Sequence, residues 1–186
     1  MFSYIQSIIL TIALAFLLRF YVIQPFIVEG SSMEPNFHDR EYIVIDKASY
    51  HIRVPKRGEV IVFHPPTAQS ENYIKRIIGL PGDTVEVNKG DIMVNGTKLD
   101  ETYLGDEDHK TEPIRMTGSV TLNPDEYFVL GDNREHSSDS REWGPLRKEN
   151  IEGRTWFIAL PLNNFQFISP PSYALSLSWL IGPHIS

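Results

Sequence analysis

The sequence contains no cysteine. Its absence excludes a thiol nucleophile, disulfide bonds and thiolate zinc sites, and it is compatible with either side of a membrane. Basic residues are also few: 17 Lys and Arg against 24 Asp and Glu give a net charge of −7, which argues against a nucleic-acid partner held mainly by charge. The six histidines show no His-x-x-x-His spacing, so we predict no metal site and no cofactor.

Charge is nearly missing from the first 25 residues, where Arg19 is the one charged side chain. Residues 4–23 form an apolar run that, as a helix, would rise about 30 Å, the thickness of a bilayer core. Apolar residues on every face argue against a globular core helix, and the lack of an early Lys or Arg argues against a cleavable leader. We therefore predict that residues 1–24 form one transmembrane anchor helix, ended by Pro25.

The remaining chain is typical of β structure. Short runs rich in β-branched residues alternate with turn residues, which predicts a mostly β domain with an antiparallel β-sheet over residues 25–162. The predicted strands lie at residues 41–46, 60–63, 73–78, 84–87, 92–94, 97–99, 127–130 and 153–160. Asn95-Gly96 favours a type I′ hairpin turn. Polar residues 101–119 predict a surface excursion.

Residues 163–186 form a C-terminal tail with an apolar stretch at 173–181. That stretch is too short to span a bilayer. It is compatible with lying on the membrane surface or packing against the domain.

One predicted strand has an unusual charge pattern. Lys75 and Arg76 are adjacent within the apolar residues 73–78, and neighbouring strand residues point to opposite faces. If one face is core, both side chains cannot reach water. A desolvated lysine has a lowered pKa and can act as a general base near neutral pH. The alternative is an edge strand with two solvated charges.

Four segments, at residues 30–35, 57–63, 72–83 and 131–141, in this order and spacing resemble the signature motifs of signal peptidase I, the bacterial leader peptidase. Taken singly, each is compatible with an ordinary turn, strand or solvated loop. The resemblance implies a largely antiparallel β fold and a serine endopeptidase that cleaves secretory signal peptides. It implies Ser32 as the nucleophile and Lys75 as its base, a known variant of the Ser-His-Asp arrangement.

The same resemblance assigns supporting roles to the polar segment. Ser137 matches the serine that supports the lysine, and Asp139 with Arg141 matches an ion pair that shapes the loop. Its partners would be signal peptides of exported pre-proteins, the lipid bilayer and a nearby secretion translocon. The expected location is a cell membrane, single-pass, with the N-terminus in the cytoplasm and the catalytic domain on the exported side. Charge counting gives this orientation no support, since residues 1–18 hold no Lys or Arg.

The substrate of this family has small residues at the first and third positions before the cut. Val28, Met33, Tyr73 and Ile74 are the apolar residues nearest the dyad in sequence, and we predict that they line the substrate pockets.

Four positions depart from the family pattern. Asn36 stands where Thr is frequent, Glu59 where Asp is common and His136 where Asn is usual. Gly30 replaces a serine that in some members supplies a hydroxyl to the oxyanion. We therefore expect the backbone N–H of Ser32 to carry more of that role.

Three alternatives remain open. A Ser-His-Asp triad of Ser32, His136 and Asp139 would leave Lys75 without a role, and the chain lacks a Gly-x-Ser-x-Gly elbow. A self-cleaving Ser-Lys repressor would be soluble and carry a DNA-binding domain. An inactive membrane-tethered β module that binds peptides would not need the dyad.

Overall fold

The structure, a computed structural model, describes residues 2–21, 23–105, 110–116, 118–171 and 173. Its helices and strands, in chain order, are α1 (Phe2–Tyr21), β1 (Ile23–Ile27), β2 (Tyr42–Asp46), α2 (Ser49–Ile52), β3 (Val60–Phe63), β4 (Tyr73–Gly79), β5 (Thr84–Asn88), β6 (Asp91–Val94), β7 (Thr97–Lys98), β8 (Ser119–Thr121), β9 (Glu126–Leu130), α3 (Ser140–Trp143), β10 (Leu146–Arg147), β11 (Ile151–Leu160) and β12 (Gln166–Phe167). Short 3-10 helices occupy Thr102–Leu104, Lys148–Asn150 and Leu162–Asn164.

The strands form two antiparallel sheets. Within the described residues, the larger sheet has eight strands in the order β1-β2-β11-β3-β4-β9-β10, with β12 also paired to β11. The smaller sheet has four strands in the order β7-β6-β5-β8. The predicted mostly β, antiparallel domain is confirmed. The hairpin between β6 and β7 is confirmed as well, because Asn95 and Gly96 have φ values of 52° and 78°, both positive as a type I′ turn requires.

The N-terminal segment differs from the prediction. The predicted helix at residues 4–23 lies at Phe2–Tyr21, and Ile23 already belongs to β1, inside the range assigned to the anchor. The apolar pattern runs through both elements and hides the boundary. Pro25 lies within β1, an edge strand, where its missing N–H is tolerated. No helix among the described residues is both long enough and apolar enough to cross a membrane.

Side chains from both faces of β4 are buried in different cores. Ile77 packs in a cluster with Phe63, Tyr127 and Val129, whereas Ile78 packs between the two sheets with residues such as Val85, Ile92 and Phe128. A third cluster lies under β1 and β2. β4 is therefore a central strand with no solvated face over most of its length.

Two other segments bear on the sequence-based expectations: the polar segment 101–119 differs from its expectation, and the tail follows one of the two options left open for it. Leu104 and Thr111 are buried, so residues 101–119 are not purely a surface excursion. Residues 106–109 and 117 lie outside the described residues. In the tail, Tyr173 packs against the cluster between the sheets. The rest of the apolar stretch at 173–181 lies outside the described residues.

Candidate active site

The loop between β1 and β2 presents Ser32. The loop is closed at its base by the Val28 N–H, which donates to the Glu41 carbonyl at 2.8 Å. It is fixed from below by Met33 and Phe37, whose side chains are only 1% exposed. Ser32 directly precedes Met33 and remains partly accessible. Burial of the residue directly after it thus holds the hydroxyl at the surface of the core.

Lys75 lies within β4 and reaches the Ser32 hydroxyl. Its Nζ donates to Ser32 Oγ at 2.8 Å and to the Ile74 carbonyl at 2.9 Å. The edge-strand alternative is wrong, because β4 pairs with β3 on one side and β9 on the other, and Lys75 and Arg76 are each 4% exposed. The strand thus carries two buried cations, one on each face.

Burial lowers the pKa of Lys75 to about 8, although the negative charges of Asp139 and Asp132 act in the opposite direction. A lysine with this pKa is neutral in about a tenth of the molecules at pH 7 and in about half of them at pH 8. In the neutral form its nitrogen can accept a hydrogen bond from the Ser32 hydroxyl, which is the arrangement that a general base needs.

Arg76 pairs with an acidic residue that the sequence reasoning left unassigned. Its Nε and Nη2 donate to Asp132 Oδ1 and Oδ2 at 2.8 and 2.6 Å. The guanidinium also lies 4.2 Å from the centre of the Tyr103 ring. Asn36, one of the positions that depart from the family pattern, donates to Asp132 Oδ2 at 2.9 Å. The signal was available in principle, since a buried arginine calls for a carboxylate partner and Asp132 is the first charged residue of the polar segment 131–141.

The polar segment 131–141 is shaped by a second buried ion pair. Arg141 donates through Nε and Nη2 to both oxygens of Asp139 at 2.8 Å, and both side chains are fully buried. Asp139 also caps α3 by accepting from the Arg141 N–H, and its Oδ2 accepts from the Gly131 N–H at 3.1 Å. The predicted partners therefore lie together, and the pair bends the loop back toward the end of β9.

This bend brings the polar segment against the Ser32 loop. A Cβ on Gly131 would lie 2.5 Å from the Ser32 carbonyl oxygen and would overlap the Ser137 side chain, so only glycine fits there. The Asn133 N–H donates to the Ser32 carbonyl at 3.1 Å, and its amide donates to the Ser31 carbonyl at 3.2 Å. Sequence reasoning missed Asn133, and nothing in its local pattern distinguishes it from a solvated loop residue.

Ser137 is buried, but its hydroxyl makes no hydrogen bond within the described residues. The predicted support of Lys75 by this hydroxyl is therefore not formed as a direct hydrogen bond here. His136 is exposed, and the group that contacts Ser32 Oγ is Lys75 rather than an imidazole. No cluster of His, Asp and Glu suited to a metal ion occurs in the part of the chain that is described.

Ser32 and Lys75 lie in the wall of a cleft of about 860 Å³. Val28, Tyr73 and Ile74 line this cleft, as do the residues of β1 from Pro25 onward. Met33 is not among its lining residues. The prediction that Met33 lines the substrate pocket is therefore wrong: its side chain is buried in the cluster under β1 and β2, where it anchors the loop that presents Ser32.

Comparisons with known proteins give a matching family, related sequences and a similar crystal structure. A protein-family model described as "Signal peptidase, peptidase S26" matches residues 1–160. The chain is 39% identical over 167 residues to a signal peptidase I of Bacillus amyloliquefaciens, covering 87% of this chain and 89% of that relative. It is 40% identical over 156 residues to a probable signal peptidase I-2 of Synechocystis sp., covering 81% and 69%. A crystal structure of a signal peptidase I from Enterococcus faecalis V583 matches with a TM-score of 0.48 and 35% identity, covering 55% of this chain and 97% of that one.

Proposed function

The chain belongs to the signal peptidase family, peptidase S26, and on that premise we propose that it is a membrane-bound serine endopeptidase that removes signal peptides from exported pre-proteins. The observation that carries this proposal is the 2.8 Å contact between Lys75 Nζ and Ser32 Oγ inside a cleft. Burial supplies the lowered pKa, about 8, that a lysine base requires.

Acylation begins when Ser32 Oγ attacks the scissile carbonyl carbon while its proton passes to neutral Lys75 Nζ. The oxyanion of the tetrahedral intermediate is stabilised by backbone N–H groups, with that of Ser32 foremost, because Gly30 offers no hydroxyl. The protonated Lys75 then gives its proton to the leaving amine as the C–N bond breaks. Water, deprotonated by the same lysine, hydrolyses the acyl-enzyme.

Several loop residues support this dyad without touching substrate. Asn133 holds the backbone on both sides of the nucleophile, through the Ser31 and Ser32 carbonyls. The Asp139–Arg141 pair holds the segment that carries Asn133 and Ser137. Ser137 lies beside Gly131 and the Ser32 carbonyl, so its unpartnered hydroxyl is available to a protonated lysine as the reaction proceeds.

The cleft is suited to an extended peptide with small side chains near the cut. β1 borders the cleft and is an edge strand, so its free backbone groups can pair with a substrate strand. Val28, Tyr73 and Ile74 would contact the side chains that point into the wall. Bulky residues there would collide with this wall, which agrees with small residues at the first and third positions before the cut.

We also propose that α1 attaches the enzyme to a cell membrane, with the catalytic domain on the exported side and close to the secretion translocon. Apolar side chains of α1 are exposed at Tyr4, Ile5, Ile8, Ile9, Leu10, Ile12 and Leu14. A second exposed group, Trp156, Phe165 and Phe167, packs its rings together at the domain surface, as interfacial aromatics do. Both features support contact with lipid.

Two experiments test the attachment. Extraction of membranes at high pH should leave the chain in the pellet, and release into the supernatant would contradict attachment through α1. Protease added to right-side-out vesicles should digest residues 25–186. Digestion only after lysis would reverse the orientation and remove the signal-peptide role.

Cleavage of a reporter pre-protein by the purified chain in detergent micelles tests the activity. Ser32→Ala and Lys75→Ala should each reduce the rate by several orders of magnitude and to a similar residual level, because the two residues act as a unit. Ser31→Ala is the matched control, since it removes a hydroxyl from the exposed neighbouring serine. Equal loss in the control, or a Lys75→Ala rate within about tenfold of wild type, would contradict the dyad.

A further inference from the structure

The chain after β12 returns to the domain and covers a glycine behind the catalytic strand. We call residues 168–171 and 173 the C-terminal strap. The Ile168 N–H donates to the Trp156 carbonyl at 2.8 Å, and the strap then reaches Gly58. A Cβ on Gly58 would lie 2.8 Å from both Pro171 Cδ and Tyr173 Cε2. The strap therefore lies directly on the backbone of Gly58.

Gly58 is joined to β4 by two hydrogen bonds. Its N–H donates to the Ile77 carbonyl at 2.8 Å, and its carbonyl accepts from Arg76 Nη1 at 3.0 Å. Its φ of 84° lies in the region that favours glycine. The contact between the strap and Gly58 is thus transmitted to β4 at Arg76 and Ile77, the two residues that follow Lys75.

The Tyr173 ring also covers the core on the face of β4 opposite to Lys75. It packs against the cluster that contains Ile78, and its hydroxyl lies in the field of the Arg76 charge. Burial raises the pKa of Tyr173 to about 12. The Arg76–Asp132 pair, whose arginine lies on this face of β4, is almost fully buried. Loss of the ring would admit water to this pair and release Gly58.

We propose that Tyr173 is a positioning residue, which acts through Gly58 and Arg76 to hold β4 so that Lys75 Nζ stays in contact with Ser32 Oγ. This inference rests on the proposed protease function, because it assigns the strap a part in the same reaction. Tyr173 is not among the residues that line the cleft. A shift of β4 by about 1 Å would be enough to weaken the dyad contact and lower the rate.

The test compares Tyr173→Ala, Tyr173→Phe and Met116→Ala in the full chain in detergent micelles. Tyr173→Ala should lower kcat by about ten- to a hundredfold while KM changes little. It should also raise the apparent pKa of the activating group toward that of free lysine, because water then reaches β4. Tyr173→Phe keeps the ring, so its kcat and its apparent pKa should stay close to those of the wild type. Met116 also packs against the core cluster that contains Ile78 but is not among the residues nearest Gly58, so Met116→Ala should lower only Tm.

A readout without turnover separates this inference from the proposed function. The pH midpoint for acylation of Lys75 by acetic anhydride, followed by peptide mass spectrometry, should rise in Tyr173→Ala. If Tyr173→Ala is too unstable to purify, Tyr173→Leu should show a smaller decrease in kcat and a smaller rise in the Lys75 midpoint. Unchanged kcat and midpoint in both variants, or effects equal to those of Met116→Ala, would overturn the strap's role. A wild-type chain that does not cleave pre-protein contradicts the proposed function, whatever the midpoint of Lys75.

Discussion

The two faces of β4 hold adjacent, equally buried cations in opposite electrostatic environments. Lys75 meets a hydroxyl and a carbonyl, and burial lowers its pKa to about 8. Arg76 meets both oxygens of Asp132, and although burial alone would lower its pKa, this partner raises it. A buried lysine without a directly paired carboxylate, such as Lys75, can therefore act as a base. A buried arginine with such a partner, such as Arg76, forms a structural ion pair.

Removing the charge from the paired face should have the largest effect on stability. Arg76→Met leaves the Asp132 carboxylate buried with only Asn36 as a side-chain donor among the contacts described. We expect the free energy of unfolding to fall by about 3–5 kcal/mol, measured by urea denaturation. Arg76→Met combined with Asp132→Asn should recover most of that loss. Equal stability of wild type and the single variant would show that the pair is not needed to hold β4.

Removing the charge from the unpaired face should act in the other direction. At pH 7 the Lys75 ammonium is buried, and a pKa lowered from 10.5 to about 8 corresponds to a cost of about 3 kcal/mol. Lys75→Met should thus be inactive but more stable than wild type at pH 7.

The pH dependence of this stability difference follows from the same shift. Between about pH 8 and 10.5 the folded wild type loses the Lys75 proton before the unfolded chain does, so wild-type stability rises with pH. The advantage of Lys75→Met should therefore shrink across that window. Denaturation of both proteins at pH 7 and 9.5 measures the change. A constant difference would mean that Lys75 titrates with an ordinary pKa.

Catalysis should report the same titration. Because the base is the neutral amine, kcat/KM should rise with pH and level off above an apparent pKa near 8. Below it, the rate should fall about tenfold per pH unit. Pre-steady-state acylation across pH 6–10 measures this profile. An activating group that titrates at about 10.4, as free lysine does, would contradict the assignment of Lys75 as a desolvated base.

The smallest effects should distinguish the cleft wall from the loop anchor. Ile74→Ala removes part of the cleft wall and so enlarges the cleft. For substrates with small residues before the cut, kcat/KM should fall by about three- to tenfold, and the preference for those substrates should become weaker. Met33→Leu conserves volume in the core and should cost less than about 1.5 kcal/mol of stability, with little change in specificity. Competing pre-protein variants in one reaction measure the specificity of both enzyme variants, and urea denaturation measures the stability of Met33→Leu. Altered specificity in Met33→Leu would return Met33 to the substrate pocket.

Local patterns were sufficient for most strands and for the hairpin. β4 was predicted within one residue because its β-branched run is bounded by clear turn residues, and Asn95-Gly96 dictates its own turn. β1 was missed because helix and edge strand share one apolar run, which has no alternation that separates them. Met33 was misplaced because proximity in sequence to Ser32 does not tell which way a side chain points in a loop.

The sequence by itself determined the order of the motifs, the strand that carries Lys75, and the alternation that puts Arg76 on the other face. Only the tertiary structure decided that Nζ meets a hydroxyl 43 residues away and that Asp132 pairs with Arg76 across 56 residues. Solvation and pairing depend on atoms gathered from several strands and loops. A lysine's pKa is therefore a property of the packed site, whereas its place in a strand is a property of its neighbours in the chain.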